Sequence, residues 1–465
     1  MDLGYRDTVF LLSFTLGNFK SVRDPQTIDF AEWAGGGNSP RSGWRSAVSP
    51  VTVLIGPNAS GKSNILEGFH YLREVLRASS TSWQDLERYP KVPYFPFRLS
   101  DETINSPSVF ELDFVVDGTR YLYGFRYGPT GVESEWMSYV PSKKWSSLFD
   151  RTVEGGASEI SWNNSQFNKT VQNSFRRLNQ RELLLSSALR KGIEPLASVA
   201  ESMLSSLAYV PLGDSYKDSR ISTVANGIRK GFMQLSDVSQ LLSAADTGIV
   251  EVAVDERNLS EDQTKVVQEL LEHNPYREAG ESSITASNQR GDFIEISVSD
   301  EDLETIAYQL VFRHRGTDRT YTLKLGDESD GTLTWLSVAP LLLDALRSGG
   351  IVIADELDSS LHQQLLEMAV TLFTNPEFNP FGAQLIFSSH DTNLLEHMRE
   401  LQLAPRSFWF VEKDRDGGSF VQSLSSFENH KAANYERRYF AGRYGGLPRL
   451  SPETFAALIL EGTDE

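Results

Sequence analysis

The chain has 465 residues, 40% hydrophobic and 23% charged, values of a folded globular protein that exclude wholesale disorder. A formal charge of -19 opposes long-range attraction to nucleic acid or anionic lipid, so such contacts need a local basic patch. The absence of cysteine excludes disulfides and thiolate metal sites, and no apolar run reaches about 18 residues, so a cytoplasmic protein without a membrane span is expected.

In chain order, the first segment, MDLGYRDTVFLLSFTLGNFK, lacks the basic start and small-residue cleavage site of a signal peptide. The alternation in VFLLSFTLGNF predicts a strand. VTVLIG at 51–56 predicts a buried parallel strand, and NILEGFHYLREVL predicts a helix with Ile65, Leu66, Phe69, Leu72, Val75 and Leu76 on one face. Between them, Gly56-Pro57-Asn58-Ala59-Ser60-Gly61-Lys62-Ser63 fits G-x-x-x-x-G-K-[ST] in full. In such a loop, backbone amides and the positive helix end hold anionic phosphates. Lys62 adds charge at the β and γ phosphates, the Ser63 hydroxyl ligates magnesium, and Gly61 permits close approach of the backbone. ATP or GTP is the expected ligand.

Residues of about 155 to 290 carry no catalytic signal. Residues 175–210 read as one or two amphipathic helices, 257–291 as a polar stretch, and no heptad pattern persists. This insertion reads as a partner or oligomer surface, or as a lobe extension. Arg176, Arg177, Arg181, Arg190 and Lys191, with Arg437, Arg438 and Arg443 near the end, offer either a nucleic-acid stripe or partners for internal or neighbouring acids.

At 326–346, Ser329 is expected to cap a helix whose Leu333, Leu336, Ala339, Leu342 and Leu343 recur at helical spacing. With Asp330 and Gly331 leaving its first amides accessible, that helix start is a second anion site facing another molecule, or a plain cap. IVIADELDSSLH, 351–362, predicts a buried strand ending in Asp355 for the magnesium shell and Glu356 for the attacking water. AQLIFSSHD follows as a third apolar run, ending in Ser388, Ser389 and His390, a histidine placed to hydrogen-bond the γ phosphate or the water. In VEKDRDGGS, 411–419, Glu412, Asp414 and Asp416 have the look of a magnesium nuclease cluster, but a hairpin with Asp416, Gly417 and Gly418 at its tip explains the same letters. The remaining stretch is short for a fused nuclease domain.

In this order of motifs the chain resembles the ABC-class ATPase heads of the SMC and RecF type. It is most similar to bacterial RecF-like AAA family ATPases of anti-phage defence operons, such as the PARIS, AbiL and Septu-like ATPase subunits. The resemblance covers both ends, about 10–150 and 295–450, and includes NFKSVRD, PFRL, ESEWMSYVP, SAADTGI and YFAGRYGGLP. It implies an α/β fold: a P-loop NTPase head of the ABC type, with a mixed sheet flanked by helices, a β-rich lobe and a mainly helical insertion. The implied segments are 8–154, 155–290 and 291–465. Two heads are expected to pair head to tail around ATP and Mg2+. Gly56, Pro57, Asn58, Ala59, Ser60, Gly61, Lys62, Ser63 and Asn64 then bind nucleotide, and Ser63 and Asp355 bind the metal. Glu356 and His390 are catalytic, Ser329 and Gly331 of the opposite head meet the γ phosphate, Asp358 crosses the interface, and Lys20 lies near the nucleotide.

The implied function is an ATP-hydrolysing sensor or regulatory subunit that answers a phage-derived trigger and controls a separately encoded effector or nuclease. The alternatives are a DNA repair or chromosome-maintenance ATPase and a nucleotide-switched scaffold. The family's LSGGQ signature stands here as Glu328-Ser329-Asp330-Gly331-Thr332, keeping only the serine and the second glycine, and no glutamine is assigned to the loop that links magnesium to lobe movement.

Overall fold

Alternating aromatic and β-branched residues make the N-terminal half a sheet. In the computed structural model, Val9–Gly17 pairs antiparallel with Gln26–Asp29 on one side and Ser108–Val116 on the other. Thr119–Gly128, Gly131–Tyr139, Ser146–Glu154 and Ala157–Trp162 continue it to seven strands. The structure describes residues 8–32, 40, 43–211, 217–229, 231, 233–258, 281–287, 293–299, 306–359, 361–427 and 434–447. Most of the polar stretch expected at 257–291, and Pro448 of the YFAGRYGGLP segment, lie outside them.

A second sheet holds the three apolar runs singled out in the sequence. Its order is Ser419–Ser423, Phe408–Lys413, Val51–Ile55, Gln384–Ser389, Ile351–Asp355, Leu207–Pro211. Val51–Ile55 is parallel to both neighbours, and Gln384–Ser389 is parallel to Ile351–Asp355. The helix Lys62–Ala78 lies between the two sheets. Its predicted apolar face, Ile65, Leu66, Phe69, Leu72, Val75 and Leu76, is buried in one cluster with Phe14 and Leu16 of the first sheet and Leu54, Ile353 and Ile386 of the second. Phe14 and Phe69 stack with ring centroids 3.9 Å apart. The buried Gln384 side chain joins the sheets directly, accepting from Leu11 N (2.7 Å) and donating to Leu11 O (3.2 Å) where the register of Val9–Gly17 shifts.

The chain divides into two compact units, one of Met1–Tyr209, Ser348–Glu356 and Val370–Glu465, the other of Val210–Arg347 and Leu357–Ala369. Residues 155–209, read in sequence as the start of the insertion, therefore fall in the first unit. Their helices Leu184–Lys191 and Leu196–Ser206 bury Leu184, Leu185, Ala188, Val199 and Met203 in the core of that unit. In the second unit, Ile306–Arg315 pairs along one edge with Ile249–Asn258 and along the other with both Phe293–Ser299 and Thr320–Lys324. The 19-residue helix Asp330–Ser348 buries Trp335, whose indole donates to Leu241 O at 3.0 Å. Among the described residues no helix is long and apolar enough to cross a membrane.

One buried ionic knot fastens Leu184–Lys191 to the seven-stranded sheet. Glu135, fully buried, accepts from the amides of Leu184 (2.6 Å) and Leu185 (2.9 Å), from Tyr123 Oη (3.0 Å), and from the equally buried Arg151 at 3.5 Å. Desolvation pushes the Glu135 carboxyl above its usual range despite these donors. All four partners donate, so a carboxamide would set its NH2 against at least one of them. Glu135→Gln should therefore cost about 2 kcal/mol of stability, read as a lower urea midpoint with an unchanged slope.

Candidate functional site

The strand order decides what meets. Adjacent strands are about 4.8 Å apart, and Gln384–Ser389 runs between Val51–Ile55 and Ile351–Asp355. Groups just past the carboxyl ends of these three parallel strands converge, as in other open α/β sheets. Here they are Lys62, His390 and Glu356. Lys62 Nζ lies 3.4 Å from His390 Nδ1, and His390 Nε2 lies 3.5 Å from Glu356 Oε1. The imidazole thus stands between an ammonium and a carboxylate that are 294 positions apart in the chain (356 − 62). His390 and Glu356 side chains are 37% and 40% exposed, so both are open to a ligand, whereas Lys62 is buried.

The glycine loop takes the shape expected of an anion cradle. Ala59 (φ 61°) and Gly61 (φ 109°) are left-handed, and Lys62–Ala78 starts with no side-chain cap, so its first amides are left for a ligand. Lys62 Nζ folds back onto the Gly56 (2.7 Å) and Pro57 (3.2 Å) carbonyls, a position from which it can swing to a phosphate. A Cβ at Gly56 would come within 2.3 Å of Val411 O, which is why this position tolerates no side chain.

The acidic end is set by Ser388, whose role the sequence does not reveal. Its hydroxyl donates to Asp355 Oδ1 (2.6 Å) and accepts from Glu356 N (2.7 Å). Glu356 has φ 55°, a left-handed conformation that costs a non-glycine residue about 1–3 kcal/mol and needs such a hold. Ser63 and Asp355 offer a hydroxyl and a carboxylate, hard oxygen donors that suit Mg2+, which takes few protein ligands when phosphates supply the others. One Asp355 oxygen is taken by Ser388, and among the described residues the other accepts no hydrogen bond and could meet a cation. The donor set fits.

Lys20 has an acidic partner on the helix that follows the loop. Its ammonium pairs with Glu67 beside the rings of Phe19 and Phe95, and burial lowers its pKa. The next residue touches the cradle: Ser21 Oγ accepts from Asn64 Nδ2 at 2.7 Å, so the Asn64 amide faces Ser21. Ser329, Gly331 and Asp358 belong to the second unit. Ser329 is exposed and caps Asp330–Ser348, its Oγ accepting from Thr332 N (3.1 Å), while the preceding Glu328 is held by His314 at 2.6 Å.

The acidic cluster at 411–419 is a hairpin between Phe408–Lys413 and Ser419–Ser423. Glu412 takes the Gly446 amide. Asp414 Oδ1 accepts from the amides of Asp416 (2.9 Å) and Gly418 (2.8 Å), and Arg23 donates to Asp414 Oδ2 (2.8 Å). Against the cost of burial, the Gly418 amide and Arg23 hold the Asp414 carboxyl below the usual range. Asp414 serves the turn, and Glu412 holds the backbone at Gly446. Of the basic residues, Arg181 donates to Tyr89 O (2.7 Å) and Pro90 O (2.9 Å), Arg190 pairs with Glu182 (3.1 Å), and Lys191 donates to Ser174 O (2.8 Å).

A family model described as "AAA domain, putative AbiEii toxin, Type IV TA system" matches residues 51–396. The chain is similar to many solved structures, among them these three. One is the Smc head bound to the C-winged helix domain of ScpA (TM-score 0.36, 14% identity, 89% of this chain and 97% of that chain covered). Another is the Smc head domain with a coiled coil and joint derived from Pyrococcus yayanosii (0.37, 13%, 94% and 99%). The third is the recombination mediator RecF with ATP, of the RecFOR pathway (0.36, 13%, 91% and 99%). No curated protein matches the chain.

Proposed function

This chain belongs to the AAA-domain family whose model spans residues 51–396, and from that premise we propose that it is an ATP-binding and ATP-hydrolysing regulatory subunit of a bacterial anti-phage defence system. It works as a head-to-tail pair or larger oligomer and controls a separately encoded effector or nuclease. The observation that carries the ATPase reading is the meeting of Lys62, His390 and Glu356 at the carboxyl ends of three adjacent strands. The defence reading is supported by the order of motifs and by the family's description, which names a toxin and a type IV TA system.

In this reading the triphosphate settles on the amides of residues 56–64, and Lys62 leaves the Gly56 carbonyl for the β and γ phosphates. Glu356 accepts a proton from, and orients, the attacking water. His390, within reach of both Lys62 and Glu356, hydrogen-bonds the γ phosphate and keeps the two charges in register. Held by Ser63 and Asp355, bound Mg2+ would neutralise charge on the phosphate oxygens. Ser329 and Gly331 of a second copy face the γ phosphate from across the pair, and Asp358 lies at that interface.

Phosphate release from MgATP by the purified chain tests this. Turnover is expected, and duplex DNA should change the rate by less than about twofold, since a chain of charge -19 gains little from a polyanion. A strongly DNA-stimulated rate would favour a repair ATPase. ATP binding without turnover would leave only a nucleotide-switched scaffold.

A further inference from the structure

Four hydroxyl, amide and carbonyl groups form a chain behind the glycine loop. Asn64 Nδ2 lies 2.7 Å from Ser21 Oγ, Ser21 Oγ lies 2.8 Å from Ser419 Oγ, and Ser419 Oγ lies 2.6 Å from the Ser60 carbonyl oxygen. Counting protons fixes its direction. The carbonyl can only accept, so the single proton of Ser419 goes to it. Ser419 Oγ must then accept from Ser21. That uses the one proton of Ser21, which must accept in turn from the Asn64 amide. Each hydroxyl donates once, and the run ends on the loop backbone.

The surroundings hold this chain in place. Ser419 and Ser60 are each 3% exposed, and Ser419 N also donates to Ser21 O at 2.7 Å. A Cβ at Gly61 would lie 2.2 Å from Ser419 Oγ and 2.6 Å from Ser21 Oγ, so the glycine leaves the room that the two hydroxyls occupy. Arg23, on the same N-terminal loop as Ser21, binds Asp414 in the turn that precedes Ser419. Two segments far apart in sequence are thereby locked together behind the cradle.

We infer that Ser419, oriented by Ser21, is a positioning residue for nucleotide binding: it holds the Ser60 carbonyl outward and so turns the Gly61 N–H of the same peptide unit into the phosphate cradle. A trans peptide is planar, with C=O and N–H pointing in opposite directions, so fixing one fixes the other. Gly61 N–H has no acceptor among the described residues, as a donor reserved for an anion requires. The inference rests on the glycine loop binding ATP, as proposed above.

Titration of Ser419→Ala with ATP, beside the wild type, tests it. Loss of the anchor should raise the ATP Kd about tenfold, with kcat at saturation within about twofold. Ser419→Thr, which keeps a hydroxyl, should recover most of that loss. Ser21→Ala should weaken binding about threefold, and the double variant should bind no worse than Ser419→Ala, because both act through one chain. A general loss of folded protein would instead lower kcat and leave Kd alone. Unchanged ATP affinity in Ser419→Ala, or in Ser21→Ala should Ser419→Ala not fold, would overturn the inference while wild-type binding stands. Absence of ATP binding by the wild type would sink the underlying reading instead.

Discussion

Lys62→Ala is expected to raise the Kd for ATP at least ~100-fold, effectively abolishing binding at millimolar nucleotide. The ammonium is buried at 5% exposure, on the loop whose amides would grip the phosphates, and its contacts include the Gly56 and Pro57 carbonyls and the His390 imidazole. Exchanging carbonyl oxygens for β and γ phosphate oxygens replaces bonds in which only the donor is charged with bonds between opposite charges, which are stronger where solvent is excluded. Alanine deletes that gain and leaves the amide cradle intact. Calorimetric titration provides the measurement, and the melting temperature of the variant should no longer rise with ATP, because stabilisation by a ligand follows its affinity for the folded state. Binding within a few-fold of wild type would mean that the loop is not a phosphate site.

Much of the fold was legible because its signals are local. A strand, a glycine loop and a helix in succession need only neighbouring residues, and Val51–Ile55 and Lys62–Ala78 form there with the predicted apolar positions buried. The acidic pair and the histidine were legible as strand ends, and the inserted order of Gln384–Ser389 between its neighbours brings His390 between Lys62 and Glu356. Amphipathic spacing also announced helices within 175–210. It shows that one face is buried but not against what, so the docking of Leu184 and Leu185 into the core through Glu135 stayed hidden. The same limit holds for Arg181, whose partners Tyr89 and Pro90 lie 92 and 91 positions away. Ser21, Ser388 and Ser419 had no readable role. A serine in a loop or at a strand end is common, and Ser21 and Ser419 meet only after 398 positions of chain have folded. Lys20 was singled out by the family resemblance alone; its ammonium pairs with Glu67, while the neighbouring Ser21 meets Asn64 beside the loop.

Glu356→Gln should leave ATP affinity within about threefold of wild type and lower kcat by roughly 10²–10⁴, the range for removing a positioned general base. Glutamine matches the shape of the carboxylate and keeps a hydrogen-bonding oxygen, so it can still orient water but cannot take its proton. The backbone that aims this side chain is untouched, since Glu356 N is held by Ser388 Oγ whatever the side chain carries. Lys62 and His390 also remain, so the γ phosphate is gripped as before. ATP should therefore persist in the variant, and if two heads close around it they should stay closed: sedimentation in MgATP is expected to show a larger species for Glu356→Gln than for wild type, and no such species for Lys62→Ala. His390 tests the same geometry from the other side. Standing 3.5 Å from Glu356 and 3.4 Å from Lys62, it would join the proposed binding and hydrolytic halves, and His390→Ala should lower kcat about tenfold or more while changing Kd less. Equal turnover in wild type and Glu356→Gln would remove the carboxylate from the chemistry and leave nucleotide occupancy, not hydrolysis, as what the site supplies.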